Sequence, residues 1–146
     1  MLSWPKSILL LVLFSTQAGA QAPPIPSAPG AEVYIQWPLD GAEVAESFVV
    51  RFGLLGMGVA PAGVDQPNTG HHHLLIDVDE PPALDLPLPA TDNVVHFGNG
   101  QTETTITLSP GEHTLQLVLG DYLHRPHDPP IISQPITVTV VAPATD

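Results

Sequence analysis

Along the chain, apolar residues recur at every second position in short runs, and hardly anywhere at the three-to-four spacing of a helix. The clearest case is SFVVRFGLL at 47–55. There Phe48, Val50 and Phe52 fall on one face and Val49 and Arg51 on the other. TETTITL at 102–108 sets Thr104, Ile106 and Leu108 against Glu103, Thr105 and Thr107, and HTLQLVL at 113–119 aligns His113, Leu115, Leu117 and Leu119. Runs at 32–37 (EVYIQW), 72–78 (HHLLIDV), 94–97 (VVHF) and 135–141 (PITVTVV) complete seven predicted strands, with turn signals such as PLDG and SPGE between runs. The pattern predicts an all-β fold, an immunoglobulin-like antiparallel β-sandwich of about seven strands. Tyr34, Trp37, Phe48 and Phe52 are assigned to its core. The connections at 56–70, 79–93 and 120–134 are long for a compact domain, and such loops commonly carry function.

Composition narrows this picture. Eighteen prolines argue against long helices. The first twenty residues read as an export signal: Lys6 precedes the apolar run Ile8–Phe14, and Ala18-Gly19-Ala20 offers a small-residue cleavage site. Seven apolar residues fall well short of the ~20 that span a bilayer. Residues 21–30 (QAPPIPSAPG) form an extended leader, and 31–146 make one domain. The expected location is periplasmic or secreted, with no membrane attachment after signal cleavage. The chain has no cysteine, so disulfides and a cysteine-linked lipid anchor are excluded.

Removing Lys6 with the signal leaves Arg51 and Arg125 against 15 acidic residues. Phosphate backbones and anionic membrane surfaces are repelled by such a chain, and cations are attracted. Nucleic acid is therefore excluded as a partner.

All seven histidines lie between positions 71 and 127. In NTGHHHLLID (68–77), strand alternation sends His72 to the core with Leu74 and Ile76 and leaves His71 and His73 on the other face with Asp77. Two imidazoles at i and i+2 can chelate one ion. His96 stands before a turn, and His124 and His127 flank a proline in HRPHDPP. The candidate ligands are His71, His73, His124 and His127, with His96 next. His72 and His113 share the core-facing register, which leaves open whether they ligate or serve the structure. Neutral imidazole suits copper and zinc, and the divalent affinity order favours copper. Met57 is the candidate soft ligand for copper(I), and Asp77, Asp121 and Asp128 are candidate acceptors for the second ring nitrogens.

Catalytic signatures are sparse. There is no G-x-S-x-G elbow, and the glycines of HFGNGQTET precede no helix. Ser47, Ser109 and Ser133 lack any context that marks a nucleophile. Gln21 would begin the mature chain, so an N-terminal histidine copper brace is absent.

The segments FGLLGMGVAPAG, NTGHHHLLID, HFGNGQTET, SPGEHTLQLVLGD and HRPHDPP, taken together and in order, resemble a family of small exported bacterial domains of unknown function. Some members of it carry labels borrowed from rod-shape-determining proteins. The resemblance covers roughly 31–141 and implies a single secreted or periplasmic domain. PGEHTL is also similar to the last hairpin of many bacterial immunoglobulin-like domains, which implies a structural role for His113.

The sequence thus points to a periplasmic copper-binding protein, with zinc as the alternative ion, used for storage, delivery or sensing rather than turnover. The first alternative is a structural domain that meets another envelope protein and whose histidines form a hydrogen-bond network. The second is a metalloenzyme, for which Glu103 is the one acid or base to name.

Overall fold

The computed structural model describes residues 23–143, so the predicted signal at 1–20 lies outside them. Among the described residues there are nine strands: β1 (Glu32–Trp37), β2 (Ala42–Ala45), β3 (Ser47–Leu55), β4 (Gly58–Val59), β5 (Thr69–Ile76), β6 (Val94–His96), β7 (Glu103–Thr107), β8 (Gly111–Gly120) and β9 (Ile136–Val141). They form two sheets packed as a sandwich. The smaller has the order β1-β3-β7. The larger has the order β2-β9-β8-β5-β4, and β6 also pairs with β5. No helix of the described residues is long and apolar enough to cross a membrane.

The alternation read from the sequence places the core. Val33, Phe48, Val50 and Phe52 of the small sheet meet Val44, Leu74, Ile76, Leu115, Leu117, Leu119, Val138 and Val140 of the large one. Burying such side chains contributes about 1.5–3 kcal/mol each, the dominant favourable term in a chain without disulfides. A second, smaller cluster lies on the opposite face of the large sheet. There Leu75, Val94 and Val118 pack beneath Leu88, with Val78, Leu84 and Ile132 beside them. The 79–93 and 120–134 connections therefore cover a sheet face that would otherwise lie open to solvent, and β5 is buried on both sides.

Several expectations are corrected. The sandwich is mixed rather than purely antiparallel, because β2 runs parallel to β9 and β4 parallel to β5. Both parallel strands are short: β4 lies inside the 56–70 connection, and β2 follows the PLDG turn in a stretch to which the alternation assigns no element. β5 begins at Thr69 and ends at Ile76, where Asp77 takes a left-handed φ of 54°. Tyr34 and Trp37 are surface residues, 40% and 45% exposed. Val33 is the buried position of β1, so Tyr34 points outward opposite Gly53. Its ring lies over Gly53, where any Cβ would collide with it. A register shift between Ile35 and Trp37 then puts the indole opposite Arg51, away from the core.

Candidate metal centre

Strand β5 builds the floor of the site. Its alternation sends His71, His73 and Leu75 to the face covered by the two long connections, while His72 turns inward and meets Phe52 with ring centroids 5.1 Å apart. β6 brings His96 directly opposite His73. The 121–125 turn brings His124 over them. The four rings are mutual neighbours: centroids are separated by 4.8 Å (His71–His73), 4.9 Å (His71–His96), 5.0 Å (His71–His124), 5.2 Å (His73–His96) and 4.4 Å (His96–His124). One nitrogen from each of His71, His73 and His96 converges within 4.8 Å of the others. Two nitrogens bound to one ion are at most ~4.2 Å apart, so small ring rotations complete a three-nitrogen site.

Three glycines make room for these rings. A Cβ on Gly98 would overlap the His96 imidazole, reaching 2.7 Å from Nε2. A Cβ on Gly120 would lie 2.7 Å from Cε1 of His73, and β8 reaches Gly120 directly opposite His71. Gly70 plays the same part for His127, with a Cβ 3.1 Å from its Cε1. The residue types before and after the histidines are thus part of the site's shape.

Electrostatics keep His71, His73 and His96 uncharged. His71 and His73 are completely buried, His96 and His124 half-buried. Burial, followed by the facing His124 and His96 rings, lowers the His71 pKa to about 4, with Asp121 opposing the shift. Burial and the surrounding histidines lower His73 to about 3. Burial and His124 lower His96. A charged imidazolium would be both desolvated and repelled at these three positions, so His71, His73 and His96 stay neutral and keep lone pairs free. Both nitrogens of His71 and His73, and Nε2 of His96, are buried without a well-formed hydrogen bond among the described residues. The backbone of His71 offsets only part of the shift at His73. Each unpartnered buried group costs on the order of 1–3 kcal/mol, and an ion would satisfy one nitrogen per ring.

Asp121 shapes the turn that carries His124. Its carboxylate is buried. Oδ1 accepts from Leu123 N at 2.7 Å and Arg125 N at 2.9 Å, and Oδ2 accepts from Arg125 Nε at 3.1 Å. The His124 amide donates to the Asp121 carbonyl at 2.9 Å, and the His124 carbonyl accepts from Leu88 N at 2.8 Å. His124 itself sits at φ 66°, in the left-handed region.

The other candidates lie elsewhere. His127 is buried beside Leu119 and Gly70 and lines a separate pocket of about 460 Å³ with Pro24, Leu84, Asp85, Asp128 and Pro130. Pro126 bridges to Gly120 and Asp128 to Pro26, so the chain has passed the cluster by residue 127. His113 binds Asp77 Oδ2 through Nδ1 at 2.7 Å and the Ser109 carbonyl through Nε2 at 2.8 Å. Both nitrogens face acceptors, so the hydrogen bond to Asp77 raises the His113 pKa. Asp77 is thereby committed to His113 and Thr114 rather than to His71 or His73. Asp128 is exposed, and Met57 packs against the main core. Glu103 pairs with Arg51 at 3.2 Å on the exposed face of the small sheet. Sequence reasoning ranked His96 behind His127. The signal that reverses that order is the His-Phe-Gly run, in which Gly98 leaves space for the ring two residues earlier.

The fold and the site define an all-β sandwich with an all-imidazole cluster on one sheet face. Residues 50–141 match the family described as Domain of unknown function (DUF4399), and the chain belongs to that family. No curated protein and no solved structure matches it.

Proposed function

We propose that this protein binds one transition-metal ion, copper first and zinc as the alternative, at the cluster of His71, His73, His96 and His124, and acts outside the cytoplasm in storage, delivery or sensing. One observation carries the reading: two buried imidazoles, His71 and His73, and the half-buried His96 each offer a nitrogen within 4.8 Å of the others, and these rings have buried nitrogens without a hydrogen-bond partner among the described residues. A ligand set of nitrogen alone, with no thiolate available in the chain, suits copper(II) and zinc, and copper binds such sites more tightly. Asp121, the carboxylate that acts on His71, is engaged by Arg125 and its own turn, which favours ion binding over turnover in this reading.

Competition titration of untagged protein with copper(II) and zinc(II) tests this. The expected result is one equivalent bound tighter than about 1 μM. His71→Ala and His73→Ala abolish it, and His127→Ala leaves it intact. Weak binding of several ions, unchanged in His71→Ala, would overturn the proposal.

A further inference from the structure

The four imidazoles are not equivalent, and their differences bear on what the site does with an ion. This inference rests on the metal-binding reading above. His71 and His73 are fully buried and belong to β5, which is hydrogen-bonded to β8 along one edge and to β4 and β6 along the other. His96 is half-buried, but β6 pairs it with His73 and Gly98 backs its ring. His124 differs from the two β5 histidines in each respect, and from His96 in its backbone and setting. It is half-buried, it sits in a turn rather than a strand, and its backbone is left-handed. Its ring touches the other three, yet among the described residues the nitrogens that converge are those of His71, His73 and His96. His124 therefore has to swing in to bind.

We propose that this is an exchange site. His71, His73 and His96 form a fixed three-nitrogen seat, and His124 is the releasable fourth ligand through which the ion enters and is handed to an acceptor with nitrogen or sulfur donors. A storage or structural site would take all its ligands from rigid elements and bury them alike. Here the one ligand on a turn stands at the half-exposed side, and the buried Asp121 carboxylate, fixed by Arg125, sets how far that turn can move. Asp121 is in this view a positioning residue, acting through His124.

The test loads the unmodified full chain and its variants with one equivalent of copper(II) and follows transfer to an excess of a chromogenic chelator by stopped flow. His124→Ala is expected to keep one equivalent bound while the transfer rate rises roughly tenfold or more. His124→Gly removes the ring and relieves the left-handed backbone, so it separates loss of the ligand from a change in the turn, and it should match His124→Ala. Asp121→Asn should speed transfer in the same direction with all four rings present, and restoring the rate with added imidazole in His124→Gly would tie the effect to the missing ligand. His71→Ala should hold no ion to transfer. Transfer rates in His124→Ala and His124→Gly equal to the unmodified protein would overturn the exchange site while leaving metal binding in place. Complete loss of binding in His124→Gly would also overturn it, since the three-nitrogen seat would then not exist. An unmodified chain that binds no copper would remove the metal reading itself.

Discussion

At the scale of single residues, the side of β5 that an imidazole occupies decides its chemistry. His72 meets Phe52 and the main core, and burial lowers its pKa to about 4, with the Gln101 backbone offsetting part of the shift. His71 and His73, one position to either side, meet other imidazoles. The glycines are the less obvious half of this arrangement. Gly98→Ala and Gly120→Ala add one methyl group each, in places where the rings of His96 and His73 already lie. Each substitution is expected to weaken copper(II) binding by roughly tenfold or more while leaving the far-ultraviolet circular dichroism unchanged, as expected for ring displacement at a preorganised site. Unaltered affinity in both variants would show that the rings are free to adopt other rotamers. His127→Ala, by contrast, is expected to change stability and not affinity, because its buried ring lies beside Gly70 and is not among the rings of the cluster.

At the scale of elements, ion pairs and turns fix how strands meet. The His113–Asp77 pair ties the start of β8 to the residue that ends β5. Because the His113 pKa is raised in the folded chain, its stabilising effect is full below the unfolded value near 6.5 and fades as pH rises through the folded value. Asp77→Asn should therefore lower the urea midpoint at pH 6 more than at pH 9, and equal losses at both would show that the pair contributes no pH-dependent stability. Asp77 also accepts from Thr114 N at 2.9 Å, so a pH-independent part of the loss is expected as well. The 121–125 turn works in the same way at the other end of β8, where a buried carboxylate collects donors from Leu123 and Arg125 and so positions the turn that carries His124.

At the scale of the whole molecule, the buried imidazoles make the metal-free protein acid-sensitive. Above pH 6.5 neither state carries these protons, so His71, His72 and His73 add no pH dependence. Below it the unfolded chain takes up protons that the fold refuses until about pH 4 for His71 and His72 and about pH 3 for His73. Stability is therefore lost as pH falls through that window, at about 1.4 kcal/mol per pH unit for each group. This is opposite in sign to His113. Chemical unfolding at pH 7.5, 6 and 5 checks it, and a flat profile in the metal-free chain would contradict it. A bound ion works against the same loss, since a ligand held at 100 times its Kd adds about 2.7 kcal/mol. Chelation is then expected to lower the melting temperature at neutral pH, and His71→Ala to remove that response.

The alternation of short apolar runs determined the fold class, the inner face of each long strand and the separation of His72 from its neighbours, because strand side chains alternate whatever their partners. It did not determine β2 or β4, since four- and two-residue parallel strands exist only through the partners they pair with, β9 and β5. Nor did it place Tyr34 and Trp37, whose exposure follows from Gly53 and from a register shift that no local pattern records. For the site, the sequence identified imidazoles on the solvent-side register of β5 and in the connections. Which of them meet was decided by tertiary structure: β6 pairs with β5 at His73, the Asp121 turn folds His124 inward, and Pro126 carries His127 past the cluster. The physical reason is range. Alternation and turn chemistry act over a few residues, whereas four imidazole rings drawn from three separate segments come together only when two loops close over one face of a sheet.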